Sequence, residues 1–408
     1  MNLKIEYYDD GSSFQAIDPL MLNPEYLNNF SIFERFPQKG NKFRFRCLIV
    51  DMESMPVEKL ASILRSWETI YLHKEHMKYY NEHIKDNLEY ILKHDGIDIK
   101  KKTSIFTEVT TDVIKEVFER HLDGEVLTPS SLKRVEKHIS RVIEFITDTN
   151  SLNGLADLIG HDYDTHTHSI KVSWFMATFI NSNRDLFPNQ SDADFKDLLI
   201  KASVAGLLHD IGKTKIPKNI LNKNGKLNNL EYISIQSHTA YSVSLLFQTG
   251  LPKYALEAIL YHHENEDGSG YPSSLKSEKI PLLAKIAHIA DVFEALTAKR
   301  SYKEPKTTFE ALRIMAGKNP HVEMLSRFEK EARENKKVPV ETIVRNEPNI
   351  KIQRLREKEM AEEEAQKRVE ARLKLRDQGM AHCFDKDLMK RFIITINKAK
   401  SFNLSGLL

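Results

Sequence analysis

Twice in this chain an apolar helical run stops on a histidine that stands beside a second candidate metal ligand, and then meets glycine. "LLIKASVAGLL" leads into "HDIGK" (Leu198 to Lys213), and "ALEAILY" leads into "HHENEDGSGYP" (Ala255 to Pro272). An ordinary polar loop needs no second histidine. The glycine at 212 breaks the first helix, so His209 and Asp210 can be aimed at one point instead of splaying around the helix axis. Taken alone, such a pair is more ordinarily a helix cap with a satisfied histidine. It is not alone.

Upstream, Asp164 and His168 stand four residues apart, on one face of a helix that continues through "IKVSWFMATFI". They could share a metal; His161 and His166 do not share that face and read as surface residues. Downstream, His238 sits on the polar side of "LEYISIQSHTAYSVSLLF", whose Leu230, Ile233, Tyr241 and Leu245 read as core. Asp291 lies in the otherwise apolar "IAHIADVFEALTAK", where a carboxylate wants a counter-charge. The candidates are therefore five histidines and two or three carboxylates from five helices. A tetrahedral zinc takes about four ligands, so this set exceeds one such site and suits two or three octahedral ions, with iron or manganese matching the mixed imidazole and carboxylate donors. Two metals about 4 Å apart can hold a hydroxide and clamp a phosphodiester for in-line attack. Such a cluster is a hydrolytic device that needs no activated serine or cysteine.

Composition limits the alternatives. The two cysteines, Cys47 and Cys383, are far apart in sequence, which leaves neither a disulfide framework nor a cysteine zinc site. A net charge of +2 gives no global basic field for nucleic acid, so no DNA partner is expected. No run approaches a membrane span, and "MNLKIEYYDDGSS" lacks a signal-peptide pattern, so a cytoplasmic protein is expected.

The fold class expected is mainly α, with a small α+β module in front of an all-helical domain. Residues 1–75 supply the module: "KFRFRCLIVD" (Lys42 to Asp51) alternates like a strand, and Val57, Leu60, Ile63 and Leu64 carry helical spacing before the apolar "TIYL". Residues 76–150 predict three connecting helices, the first striped by Tyr80, Ile84, Leu88 and Ile91 and the third starting near Thr128-Pro129. Residues 151–400 form the main domain. It is interrupted at about 319–377 by fifteen basic and thirteen acidic side chains, with Glu363/Lys367, Glu364/Arg368 and Glu370/Lys374 at i,i+4 spacing. That stretch predicts a solvated helix, because no sustained apolar heptad supports a coiled coil.

His168, "HDIGK", His238, "HHENEDGSGYP" and Asp291 followed by "RSYK" resemble the HD-GYP family of HD-domain phosphohydrolases; "GMAHCFDKDL" is similar to its closing helix. The resemblance implies an all-helical HD-GYP-type domain that hydrolyses cyclic di-GMP to pGpG, and on to GMP, with two or three divalent ions, Fe or Mn. It implies His168, His209, Asp210, His238, His262, His263 and Asp291 as metal ligands, with Asp210 as a bridge. Asp164 stands where three-metal members carry an acid, usually Glu. Lys213 corresponds to a lysine at the scissile phosphate, Arg300 and Lys303 to basic residues that hold the dinucleotide, and Tyr271 to a base or phosphate contact; Glu294 is a further substrate-side candidate. A different cyclic dinucleotide such as cyclic GMP-AMP, or a catalytically weak cyclic-dinucleotide receptor, stays open. So does a homodimer or a protein partner through the front module or the charged insertion.

Overall fold

The computed structural model describes residues 6–27, 30–40, 42–48, 56–122, 127–148, 150–158, 165–223, 225–299, 304–317 and 379–398. The front module is a five-stranded antiparallel sheet, β1 (Glu6–Asp9), β2 (Phe14–Ile17), β3 (Ile32–Gln38), β4 (Lys42–Cys47) and β5 (Ile70–His73), in the order β1-β4-β3-β5-β2. Side-chain alternation gives the sheet two apolar faces. Ile17, Ile32, Ile70 and Leu72 pack under Leu60 and Leu64 of helix α1 (Val57–Arg65). Phe14, Phe33 and Phe45 form an aromatic cluster on the other face. Tyr7 of one edge strand meets Phe14 of the other at 5.6 Å, so the sheet curls and its two edges meet over those rings.

The stripe through Tyr80, Ile84, Leu88 and Ile91 runs over two helices, α2 (Met77–Asp86) and α3 (Leu88–Lys93), not one. Asn87 is the cause. Its amide Nδ2 donates back to the His83 carbonyl at 3.0 Å, a side-chain bond that competes with helix continuation, while its Oδ1 accepts from Asn23 at 2.9 Å. Helices α4 (Ile99–Leu122) and α5 (Pro129–Thr147) come next, the second capped by the Thr128 hydroxyl at the Ser131 amide.

These helices share one core with the rest of the domain. Met21, Ile84, Phe106, Val135, Trp174, Leu207, Phe293 and Phe392 belong to the same buried cluster. The later helices are α6 (Ser151–Asp157), α7 (Thr165–Ser182), α8 (Asp192–Leu208), α9 (Lys218–Leu221), α10 (Asn229–Gln236), α11 (His238–Leu246), α12 (Lys253–Tyr261), α13 (Leu282–Thr297), α14 (Thr308–Met315) and α15 (Lys386–Asn397). Helix α7 is buried on every side from His168 to Ile180, as expected for an element apolar all round. Gly206 lets α8 close on it: a Cβ there would stand 2.9 Å from the Ser173 Cα. Among the described residues no helix is long and apolar enough to cross a membrane.

Periodicity misplaces one stretch. Leu230, Ile233 and Tyr241, expected in the core, are 78 %, 56 % and 43 % exposed. The run breaks at Ser237, which resets the helical phase, and α11 buries His238, Ser242 and Leu246 instead. The chain leaves and rejoins the domain at one place. Gly317 comes just after α14, and the Met380 amide donates to the Ile314 carbonyl at 2.9 Å. The charged stretch expected at about 319–377 lies outside the described residues.

One buried histidine gives the fold a pH dependence. His138 of α5 bonds Thr110 of α4 at 2.9 Å, and burial, helped by Arg141, pushes its imidazole down to about 4. The unfolded chain takes up a proton near pH 6.5 that the folded chain refuses until about 4, so stability is lost as pH falls through that window. The loss is on the order of 3 kcal/mol as an upper bound. His138→Gln should flatten the slope; urea midpoints of parent and variant at pH 7.5 and 4.5 measure it, and parallel slopes would contradict this assignment.

Candidate metal centre

Three of the histidines are delivered in the same way. His209 directly follows α8, His238 follows Ser237 at the end of α10, and His262 directly follows α12. In each, Nδ1 lies 2.7 Å from the backbone carbonyl three residues back, that of Gly206, Ile235 and Ile259 respectively. A carbonyl can only accept, so Nδ1 carries the proton and Nε2 presents a lone pair. Those carbonyls belong to the last turn of a helix, where they lack intrahelical partners and carry the negative end of the macrodipole. The cluster thus receives three helix C-termini, an arrangement that favours cations.

The lone pairs point at each other. His168 Nε2 is 3.3 Å from His209 Nε2, and His238 Nε2 is 3.4 Å from His262 Nε2. Two carboxylates stand among them. Asp210 turns Oδ2 toward His168 and His209 at 3.5 and 3.3 Å and Oδ1 toward His238 at 3.2 Å, without a hydrogen bond at Oδ1. Asp291 places Oδ1 3.3 Å from His168 Nε2 and Oδ2 3.8 Å from His263. Lys213 Nζ bonds Asp210 Oδ2 at 2.5 Å.

The surroundings of Asp210, Asp291, His262 and His263 favour the form of each that binds metal. Burial alone would raise the Asp210 carboxyl, but His209 and Lys213 beside it hold it well below the usual carboxylate range. Asp291 behaves likewise, its burial outweighed by His168 and His263. Burial and the neighbouring imidazoles push His262 well below its ordinary value, and burial holds His263 at about 3 against the pull of Asp291. Deprotonated carboxylates and neutral imidazoles are the ligand state. Acceptor atoms converging without protons between them repel, and divalent cations relieve that repulsion. Three donor triads fit one: His238/His262/His263, His168/His209/Asp291 and His209/Asp210/His262, each with donor atoms within 4.8 Å of one another.

The rim is the loop after His263. Its geometry depends on two residues not singled out from sequence. Glu264, buried, accepts from the Ser273 and Leu275 amides at 2.6 and 2.9 Å and closes the loop. His288, also buried, approaches the His262 carbonyl with Nδ1 at 2.8 Å. Gly270 packs so tightly that a Cβ would meet the Asn265 amide nitrogen at 2.4 Å. Tyr271 then lies over His263, ring centroids 4.7 Å apart at 34°. Burial, and then Asp291, raise its phenol, so it stays a protonated donor. Closing segment and loop are tied by Glu266 to the Cys383 carbonyl, and by Lys285 to both Glu266 and Asp385.

His168, His209, Asp210, Lys213, His238, His262, His263, Tyr271 and Asp291 therefore come together. Asp164, Arg300 and Lys303 lie outside the described residues. Glu294 lies against His168. It is buried behind His168, with Oε2 2.6 Å from Nδ1, because one helical turn beyond Asp291 carries it to the far edge of that ring. His166 is half-buried against Phe118, not a surface residue.

A helical domain with such a convergence of imidazole and carboxylate is an HD-domain arrangement, and residues 190–323 match the HD domain family model. A cyclic di-GMP phosphodiesterase of Pseudomonas aeruginosa is 37 % identical over 174 residues, 42 % of this chain and 40 % of that protein. The 3'3'-cGAMP-specific phosphodiesterase 2 of Vibrio cholerae is 47 % identical over 123 residues, 29 % of this chain and 23 % of that one. A solved HDG"Y"P protein of Bdellovibrio bacteriovorus superposes with a TM-score of 0.48 at 17 % identity, covering 78 % of this chain and 99 % of that one. The matched stretches span less than half the length of these two curated relatives. Residues 190–323 thus match the HD domain family, and the Gly-Tyr-Pro loop behind the paired histidines is similar to the pattern of the HD-GYP branch.

Proposed function

We propose that this chain is a metal-dependent phosphodiesterase that hydrolyses cyclic di-GMP. The observation that carries the reading is the convergence of imidazole Nε2 atoms around Asp210 at three helix ends. His168, His209 and Asp291 would hold one divalent ion, His238, His262 and His263 a second, and Asp210 lies between the two sets. Iron or manganese suits that donor mixture. Bound there, such ions supply Lewis acidity toward the phosphodiester oxygens and acidify water. Asp164, four residues before His168, is the candidate for a third ion.

The chain's own groups do the rest. Lys213, held at Asp210, offers positive charge where a phosphoryl group would lie against the cluster. Tyr271 forms an aromatic wall over His263 that suits a purine base, with its hydroxyl protonated for donation. Arg300 and Lys303 follow α13 directly in sequence and would anchor the doubly negative substrate.

The 47 % identity to a cGAMP-specific relative supports a second reading, in which the mixed cyclic dinucleotide is preferred. Both are tested by loading the protein with Mn or Fe and incubating it with cyclic di-GMP, 3'3'-cGAMP and cyclic di-AMP, with products followed by chromatography. Linear pGpG or GMP formed fastest is the expected result. Faster cGAMP turnover would establish the second reading, and no turnover of any substrate by metal-loaded protein would overturn both.

A further inference from the structure

We propose that Lys171 and Glu294 act as a buried positioning pair that sets the ring of His168. Three of the ligand imidazoles are oriented by the carbonyl behind them, whereas His168 Nδ1 meets a side chain from another helix, Glu294 Oε2, at 2.6 Å. The other carboxylate oxygen, Oε1, is 3.3 Å from Lys171 Nζ. All three side chains are 1–2 % exposed. A lysine buried that deeply is unfavourable without a defined partner, and here the partner is the residue that holds a ligand ring.

The helices explain the arrangement. His168 and Lys171 lie three residues apart on α7, and Asp291 and Glu294 three apart on α13, so each helix offers two groups on one face. The His168 ring sits between the two carboxylates, with Nε2 toward Asp291 Oδ1 at 3.3 Å and Nδ1 toward Glu294. Glu294 can seat the ring only if it is itself prevented from rotating, and Lys171, one turn beyond His168, fixes its second oxygen. The pair thereby fixes both the Nδ1–H tautomer and the direction of the Nε2 lone pair. This inference rests on the metal reading of the cluster.

The test is Mn2+ titration of metal-free protein by calorimetry, with unfolding midpoints measured alongside. Glu294→Gln and Lys171→Met should each weaken Mn2+ binding by about 10- to 100-fold, the range for carboxylates behind metal-ligating histidines. The double variant should be no weaker than Glu294→Gln, because Lys171 acts through Glu294. In 15N spectra of the parent protein, His168 should show protonated Nδ1, and that population should fall in Glu294→Gln. If the variants lose thermal stability while binding Mn2+ as the parent does, the pair is only a core ion pair and the proposal falls. Additive losses in the double variant would also overturn it. An Asp210→Asn control separates the two layers: a parent protein that binds Mn2+ no better than this control overturns the metal reading and the proposal together, whereas a control that loses binding beside an unaffected Glu294→Gln overturns the proposal alone.

Discussion

Asp210→Asn is expected to abolish turnover and strip metal, by more than the ~10- to 100-fold seen when an outer carboxylate is lost. Asparagine keeps the volume, so the loss is one of charge and of an acceptor. Asp210 faces His168 and His209 with one oxygen and His238 with the other, and no other carboxylate is in reach of His238 among the described residues. The metal-free form should respond in the opposite direction. An amide NH2 in this position can donate to an Nε2 lone pair, so the metal-free variant should unfold at a higher temperature than the metal-free parent protein. Elemental analysis, turnover and unfolding of the metal-free proteins check all three expectations. A variant with parental metal content and activity would remove Asp210 from the centre of the site.

Gly212→Ala should be nearly as damaging although the residue carries no side chain. A Cβ at 212 would stand 2.0 Å from the His238 carbonyl oxygen and 2.5 Å from the Ser242 amide nitrogen. Both are backbone atoms, so neither can swing aside. The Gly212 amide also donates to Ser242 Oγ at 2.8 Å, and Ser242 Oγ donates to the His209 carbonyl at 2.7 Å. The turn after α8 and the start of α11 are thus pressed together, which brings Asp210 against His238. Forcing them apart should cost roughly 1–3 kcal/mol of stability. A displacement of about 1 Å at the site should reduce turnover by ~100-fold or more. Thermal unfolding and metal titration should move together; a variant with full metal affinity and turnover would show that this contact does not set the site.

The sequence made the helix-end ligands legible because apolar runs that stop at His209 and at His262 each meet a glycine-containing turn. Resemblance to a known family supplied the ligand set; periodicity alone supplied candidates. The front module was legible too, since "KFRFRCLIVD" contains the strand Lys42–Cys47 and Leu60 and Leu64 repeat at helical spacing. What failed were statements that depend on phase or direction. Leu230, Ile233 and Tyr241 look like core only if the helix is continuous through Ser237, and it is not. Glu294 could be identified as an acid one turn past Asp291, but not as the group at His168 Nδ1. Glu264 is hidden among polar neighbours in "HHENEDG", and its role appears only once the Ser273 and Leu275 amides fold back onto it. His288 did leave a signal: it precedes Asp291 by three residues in an apolar helix, on the same face.

The way the imidazoles are held also implies an order of assembly. For His209, His238 and His262 the orienting carbonyl is three residues away, so each ring acquires its setting when its own helix end forms. For His168 the carboxylate at Nδ1 is 126 residues away, so that bond needs α7 and α13 to have docked. Local contacts form ahead of distant ones. The expected order is therefore three nitrogens aimed with their own helix ends and the fourth on docking of α7 against α13, which histidine-resolved exchange during refolding would check.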